Sequence, residues 1–408
     1  MSIIGISHPS RKLQGQVNLP ASKSISNRLL ILQQLFPGRI SIDNLSQADD
    51  SIILQQALTQ KTGSINLKNA GTCLRFLLAY FSITPGEVIL HGTERLHQRP
   101  VGELINALRL LGAEIDCIDK EGFAPLRIRG KKLHGGSISM QAAQSSQHAS
   151  ALMLIAPALE DGLVLTIEGE STSASYLEMT EKLMYDCGFI MEVSEQKYDI
   201  PPQWPRNVNV SVEPDWSAAS YWYCMTCLSI EADLHMNGLT RSYLQGDVAI
   251  ANYMEHFGVQ SHFNEKGVRL AKSPPVLQDA QYNMNEQPDL VPAMAVAFAA
   301  LGVNAKFEHI AHLRFKESDR LKALETELNR CGFKAVAGID NLQIIASQPD
   351  LTTTPCIQTY GDHRMAMAFA PLALVWDELQ IENPEVVEKS YPGFWDELKK
   401  VGFLLRTI

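Results

Sequence analysis

Pro20-Ala21-Ser22-Lys23-Ser24-Ile25-Ser26-Asn27-Arg28 is the stretch on which the fold of this chain turns. A proline closes an extended run, Gln16 to Leu19, and an apolar helix continues as Leu29-Leu30-Ile31-Leu32. Between them lie small hydroxyl residues carrying a lysine and, five residues on, an arginine. A helix start of this composition offers backbone N–H groups, hydroxyls and positive charge, which together suit an anion. One such stretch reads equally as a plain serine N-cap. Its weight comes from recurrence.

The same grammar returns five times. Asn69-Ala70-Gly71-Thr72 precedes Cys73 to Tyr80, and Ser145-Ser146-Gln147 precedes Ala149 to Ile155. Asp215-Trp216-Ser217 precedes Ala218 to Leu228, and Pro288-Asp289 precedes Leu290 to Leu301. Tyr360-Gly361-Asp362-His363-Arg364 precedes Met365 to Val375. Each is a polar cap followed by a helix that is apolar nearly all round, hence buried on most sides. The caps at Thr72, Ser146, Ser217, Asp289 and Asp362 recur every roughly 70 to 75 residues, the mark of repeated supersecondary units. Amphipathic helices alternate with the buried ones, over 101–111, 176–187, 248–257 and 319–331. Short alternating strands fall at 15–19, 40–45, 64–67 and 87–91. The pattern predicts an α/β chain of six units, each with one buried and one amphipathic helix. Buried helices packed side by side add their partial positive ends at one surface.

Bulk composition narrows the function. The chain has 408 residues, 45% hydrophobic and 20% charged, which suits two or three folded domains. Its formal charge of −10 excludes a general nucleic-acid binder, which needs lysine and arginine to neutralise phosphate. No apolar run approaches the roughly 18 residues of a membrane span, and Met1 to Gly5 lacks the features of a signal peptide. A cytoplasmic location is expected. The seven scattered cysteines suit free thiols in a reducing compartment. Cys224 and Cys227 spell CxxC but lie in an apolar run, so buried thiols are expected there rather than a metal or redox centre.

In so acidic a chain, local cations stand out. Lys23, Arg28, Arg75, Arg99, Lys316, Arg320, Arg364 and Lys389 sit at or beside the caps, with Asp289, Glu317 and Asp362 among them. The planar guanidinium fork binds two oxygens of a phosphate or carboxylate at once. Taken singly, each reads as well as a surface pair or a cap charge. Taken together they point to substrates bearing several negative charges.

These residues, in order, resemble a known family: the enolpyruvyl transferases, and among them the 3-phosphoshikimate 1-carboxyvinyltransferases (EPSP synthases). The matching stretches are Leu19 to Arg28, Asn69 to Thr72 with Arg75, Gln98-Arg99-Pro100, Ser145-Ser146-Gln147, and Ser173 with Tyr176. They continue with Gln245-Gly246-Asp247, Pro288-Asp289, Lys316 to Arg320, Asp362 to Ala366, and Lys389 ahead of Pro392. They span nearly the whole chain and are specific only as a set.

The resemblance implies a two-lobed inside-out α/β barrel, each lobe three βαβαββ units with buried parallel helices. Residues 1–18 with 214–408 would form the C-terminal lobe and 19–213 the N-terminal lobe, hinged near 15–20 and 210–216. It implies transfer of the enolpyruvyl group of phosphoenolpyruvate to the 5-hydroxyl of shikimate 3-phosphate, in aromatic amino-acid biosynthesis, by a monomer without metal or organic cofactor. Carried over by position, shikimate 3-phosphate would meet Lys23, Ser24, Arg28, Ser145, Ser146, Gln147, Ser173, Tyr176, Asp289 and Lys316. Phosphoenolpyruvate would meet Lys23, Gly71, Arg99, Gln147, Arg320, Arg364 and Lys389. Asn69, Thr72 and His363 would support the site. Asp289 would take the hydroxyl proton, and Glu317 would protonate the methylene carbon with help from Lys23. The retained Gly71 implies inhibition by glyphosate. Ala21, Pro214 and His312 depart from the family's usual glycine, glycine and asparagine. The competing readings are a related transferase acting on a UDP-aminosugar and a non-catalytic anion-binding relative.

Overall fold

The computed structural model describes residues 2–141, 146–169 and 174–408, and the chain divides into two compact units. One comprises residues 1–20 with 213–408, the other residues 21–212. Hydrogen bonds hold the chain on either side of each passage. The Pro20 carbonyl accepts from the Asp215 N–H at 2.9 Å, and the Asp43 carbonyl from the Val212 N–H at 3.0 Å.

In the 21–212 unit, Thr62–Asn66 pairs in parallel with Gly86–His91. Gly86–His91 pairs antiparallel with Leu126–Gly130, which pairs antiparallel with Glu114–Cys117. A second sheet repeats that order through Gly136–Gln141, Leu163–Glu168, Lys197–Ile200 and Glu192–Ser194. A third consists only of the parallel pair Ile40–Asp43 and Val208–Ser211. Among the described residues this unit at the start of the repeat has no antiparallel strands beyond that pair, unlike the other five, in keeping with the short first interval between caps. Helices Lys23–Leu35, Gly71–Ile83 and Ser146–Ile155 pack on one another. The second of these buries every residue from Cys73 to Ser82.

In the other unit, three four-stranded sheets share the same order. Lys12–Asn18 leads to Glu231–Asn237, Gly267–Lys272 and Val259–Asn264. Ala280–Asn283 leads to Ala305–Glu308, Asn341–Ile345 and Lys334–Ala337. Cys356–Ile357 leads to Leu379–Glu382, Ile3–Ser7 and Leu404–Thr407, so the chain's first strand completes its last sheet. Helix Val291–Leu301 sits between Trp216–Leu228 and His363–Phe369. Its sequence, Val-Pro-Ala-Met-Ala-Val-Ala-Phe-Ala-Ala-Leu, lets neighbours approach on every side. Trp216, Tyr221, Trp222 and Tyr223 are almost wholly buried, and each such ring stabilises the core by roughly 1.5–3 kcal/mol.

The caps differ in detail from the sequence reading. Asp215, not Ser217, caps its helix, accepting from the Ala218 N–H at 2.8 Å. Ser22 precedes Lys23–Leu35 without a side-chain cap bond; its hydroxyl is buried. The expected helix over 365–375 runs as His363–Phe369 and then tightens to a 3-10 turn at Ala370–Leu374, where Pro371 removes a donor. Cys224 and Cys227 are buried thiols.

Close packing leaves some strand positions, Gly130 among them, open only to glycine. A Cβ on Gly130 would lie 1.8 Å from the Thr84 carbonyl oxygen and 2.2 Å from that of Phe81. Gly130→Ala is therefore expected to destabilise the fold by about 2–4 kcal/mol. Urea unfolding measures this; an unchanged midpoint would mean that the two backbones part at no cost.

Candidate active site

In the 21–212 unit, the N-terminal turns of the buried helices lie side by side. Gln147 donates Nε2–H to Thr72 Oγ1 at 3.2 Å, joining the starts of Ser146–Ile155 and Gly71–Ile83. Arg75, buried one turn inside, donates to the Gly71 and Pro100 carbonyls, both at 2.9 Å. It thereby fixes the glycine turn and the segment carrying Arg99. The Arg99 guanidinium lies against Gly71: a Cβ there would come within 2.2 Å of it. Asn69 lies half-buried ahead of Gly71. Lys23, in the first turn of its helix, pairs with buried Asp50 at 3.2 Å.

Arg28 is placed differently from a surface anion hook. Its guanidinium is buried and donates to Thr180 Oγ1 at 2.7 Å, the Ser24 carbonyl at 2.9 Å, the Tyr176 carbonyl at 3.1 Å and Ser150 Oγ at 3.3 Å. It ties Lys23–Leu35 to Ser146–Ile155 and Ala174–Asp186 and so sets Ser24 and Tyr176. Burial pulls its pKa down to about 10, so it stays charged at neutral pH. Ser146 opens its helix. Ser145 and Ser173 lie outside the described residues.

In the other unit, Arg320 begins helix Arg320–Arg330 and is only 2% exposed. It donates to Asp362 Oδ2 at 2.8 Å, Asp289 Oδ1 at 3.0 Å and Glu317 Oε2 at 2.6 Å. Burial alone would lower its pKa, but Asp362, Glu317 and Asp289 outweigh that and raise it. Arg364 donates to the second oxygen of Asp289 at 2.6 Å and to Tyr221 Oη at 3.4 Å. Asp362 caps helix His363–Phe369 through the Arg364 N–H at 3.0 Å and also accepts from Ser318. Asp289, Glu317, Arg320 and Arg364 therefore form one hydrogen-bonded cluster. His363 is buried beside Asp362, and the 3-10 helix Pro384–Lys389 that ends in Lys389 packs on His363–Phe369. His312 precedes half-buried Lys316. Burial first, then the Lys316 charge, pushes its imidazole down to about 3, so it is neutral.

Asp50, Asp247 and Asp362 emerge as partners that sequence reasoning did not assign to the site. Asp362 carried a signal, an acid at a helix cap. Asp247 lay in one of the matching stretches without an assigned role, and Asp50 carried no signal, because its partner Lys23 lies 27 residues away along the chain.

Comparison with known proteins identifies the fold and the family. The fold is that of the enolpyruvyl transferases. It matches EPSP synthase from Acinetobacter baumannii over the whole of both chains, with a TM-score of 0.76 and 19% identity. It matches the enolpyruvyl transferase NikO from Streptomyces tendae with a TM-score of 0.73 and 13% identity, over 100% of this chain and 99% of that one. Sequence is more specific. The chain is 43% identical over 404 residues to a 3-phosphoshikimate 1-carboxyvinyltransferase of Bacteroides fragilis, covering 98% of each chain. It is 35% identical over 423 residues to that of Syntrophobacter fumaroxidans, covering 96% of this chain and 98% of the relative. The pattern of the EPSP synthase (3-phosphoshikimate 1-carboxyvinyltransferase) family matches residues 51–398. The chain belongs to the EPSP synthase family.

Asp247 offers a pH test of the cluster's surroundings. It is buried, accepts from Ser217 Oγ, and its carboxyl is pushed up to about 7, first by burial and second by Asp289. The folded protein keeps this proton where the unfolded chain, with an ordinary aspartate pKa near about 4, has lost it. The associated stability is full below about pH 4 and disappears as pH rises through about 7. Asp247→Asn removes that loss, so the stability of the variant relative to the parent should improve between pH 5 and pH 8. Equal differences at the two pH values would mean that the carboxyl is already ionised at pH 5.

Proposed function

We propose that this chain transfers the enolpyruvyl group of phosphoenolpyruvate to the 5-hydroxyl of shikimate 3-phosphate, releasing phosphate, within aromatic amino-acid biosynthesis. The observation that carries this reading is the single cluster in which Arg320 and Arg364 share Asp289 while Glu317 bonds the same Arg320. It offers two guanidinium forks for an anion and two carboxylates for the two proton transfers. We infer a monomer working in the cytoplasm; no helix among the described residues is long and apolar enough to cross a membrane.

The reaction needs a hydroxyl to lose a proton and a methylene carbon to gain one in the same step. Asp289 takes the 5-hydroxyl proton as the oxygen adds to C2 of phosphoenolpyruvate. Glu317 delivers a proton to C3, giving a tetrahedral adduct. In the second half, C3 returns a proton to Glu317, the C2–O bond to phosphate breaks, the phosphate leaves with the proton that Asp289 took, and the enol ether forms. Arg320, Arg364 and Lys389 hold the phosphoenolpyruvate anion, with Arg99 beside Gly71 and Gln147 from the 21–212 unit. Lys23 neutralises the departing phosphate and assists proton transfer. Ser24, Ser145, Ser146, Ser173 and Tyr176 hold the sugar-acid phosphate and its hydroxyls, with Lys316 adding charge. Arg28 fixes Ser24 and Tyr176 in place. Holding both anions at reacting distance removes much of the entropic barrier, and fixed cations stabilise the leaving phosphate.

Phosphate release with both substrates, and none when a UDP-aminosugar replaces shikimate 3-phosphate, is the expected assay result. The reverse preference would sink the reading. Asp289→Asn and Glu317→Gln, which keep shape while removing the carboxylate, should each lower kcat by about 10²–10⁴-fold. A variant with turnover near that of the parent would remove its residue from the assigned role. Gly71→Ala should push the Arg99 guanidinium aside. It is expected to raise KM for phosphoenolpyruvate by about tenfold with a smaller change in KM for the partner substrate, as loss of a ground-state contact does.

A further inference from the structure

Helix Arg320–Arg330 holds the Arg364 turn at two places, and only one of them belongs to the cluster described above. Glu327 follows Arg320 by seven residues, two helical turns, so both project from one face. Arg320 reaches Asp362. Glu327, 0% exposed, reaches the residues just before it. Its Oε2 accepts from the Gln358 N–H at 3.1 Å and its Oε1 accepts from the Tyr360 hydroxyl at 2.7 Å. Arg330 donates to both oxygens at 2.9 Å and balances the buried charge.

The segment so held is strained. The Asp362 N–H donates to the Thr359 carbonyl at 2.8 Å, closing a turn whose central residues are Tyr360, at φ 55°, and Gly361, at φ 67°. Two left-handed residues in succession make the mirror-image type I turn, which suits asparagine and glycine. Tyrosine in that conformation costs roughly 1–2 kcal/mol. Strain of this kind persists only where surrounding contacts over-determine it. Here the contacts are those of Glu327. The Tyr360 phenol stays protonated and able to donate: its pKa is pushed up to about 12, first by burial and then by Glu327.

We propose that Glu327 and Tyr360 are positioning residues: their hydrogen bond holds the left-handed Tyr360-Gly361 turn, and the turn sets Asp362 and the Arg364 guanidinium for the anionic substrate. The inference rests on the site reading above, in which Arg364 holds phosphoenolpyruvate.

Steady-state phosphate release by the full chain tests it, with phosphoenolpyruvate varied at saturating shikimate 3-phosphate. Tyr360 is 42% exposed, so Tyr360→Phe leaves the fold intact while removing the bond to Glu327. KM for phosphoenolpyruvate is expected to rise about three- to tenfold, the effect of one hydrogen bond, with KM for the other substrate unmoved. Glu327→Gln should shift the same constant the same way. The double variant should be no worse than the poorer single one. Tyr360→Asn is the decisive arm. Asparagine adopts the left-handed conformation without a clamp, so it should recover most of the KM lost in Tyr360→Phe. A packing role for the ring predicts the opposite order, phenylalanine better than asparagine, and that order overturns the proposal. So does an unchanged KM in Tyr360→Phe. Arg364→Lys separates the two readings. A raised KM there with an unmoved Tyr360→Phe defeats the clamp alone, whereas an unmoved KM in Arg364→Lys defeats the site reading and the clamp with it.

Discussion

One buried guanidinium organises the chemistry of the larger unit. Arg320 is surrounded by Asp289, Glu317 and Asp362, each from a different local element. Burying three carboxylates together is prohibitive without a cation among them, and burying an arginine is equally costly without acceptors. Each element is thus constrained by the others. The start of Val291–Leu301, the start of Arg320–Arg330 and the cap of His363–Phe369 have to meet at a single point for any of these charges to be tolerated. Arg364 shares Asp289 and is drawn to the same place.

The 21–212 unit solves a similar problem with neutral acceptors. Arg28 and Arg75 are also buried arginines, and the hydrogen bonds described above run to carbonyls and hydroxyls. Such bonds neutralise no charge, so the positive potential at the helix starts survives, reinforced by the helix dipoles. Arg99 and Lys23 then act from fixed positions, one against the bare backbone of Gly71 and the other beside Asp50. The same repeat supplies, in one unit, a cation-rich cradle of backbone and hydroxyl groups and, in the other, paired acids and bases.

The helical framework was largely legible in the sequence, because burial on all sides leaves a direct mark on composition. Val291–Leu301 and Gly71–Ile83 announce themselves as apolar runs, and Asp319 and Asp362 as caps. Sheet pairing was less legible. Nothing local says that Ile3–Ser7 joins strands near residue 380, or that Ile40–Asp43 pairs with Val208–Ser211. Strand partners are chosen by where the helices between them lie, and each strand is only a few residues long.

The candidate site divides in the same way. Sequence by itself determined which residue types stand at the helix starts: the cations, the small hydroxyl caps, Gly71, and the two carboxylates Asp289 and Glu317. Those follow from the local need to satisfy exposed N–H groups and from the gathering of charge at the helix starts. Only the tertiary structure decided which of them support others. Arg28 turned inward to fix Ser24 and Tyr176; Asp362, rather than a solvent-facing acid, became the third partner of Arg320; Glu327 came to hold the turn before Arg364. The physical reason is that a charge's role depends on what it is buried against, and those partners lie tens to hundreds of residues away along the chain.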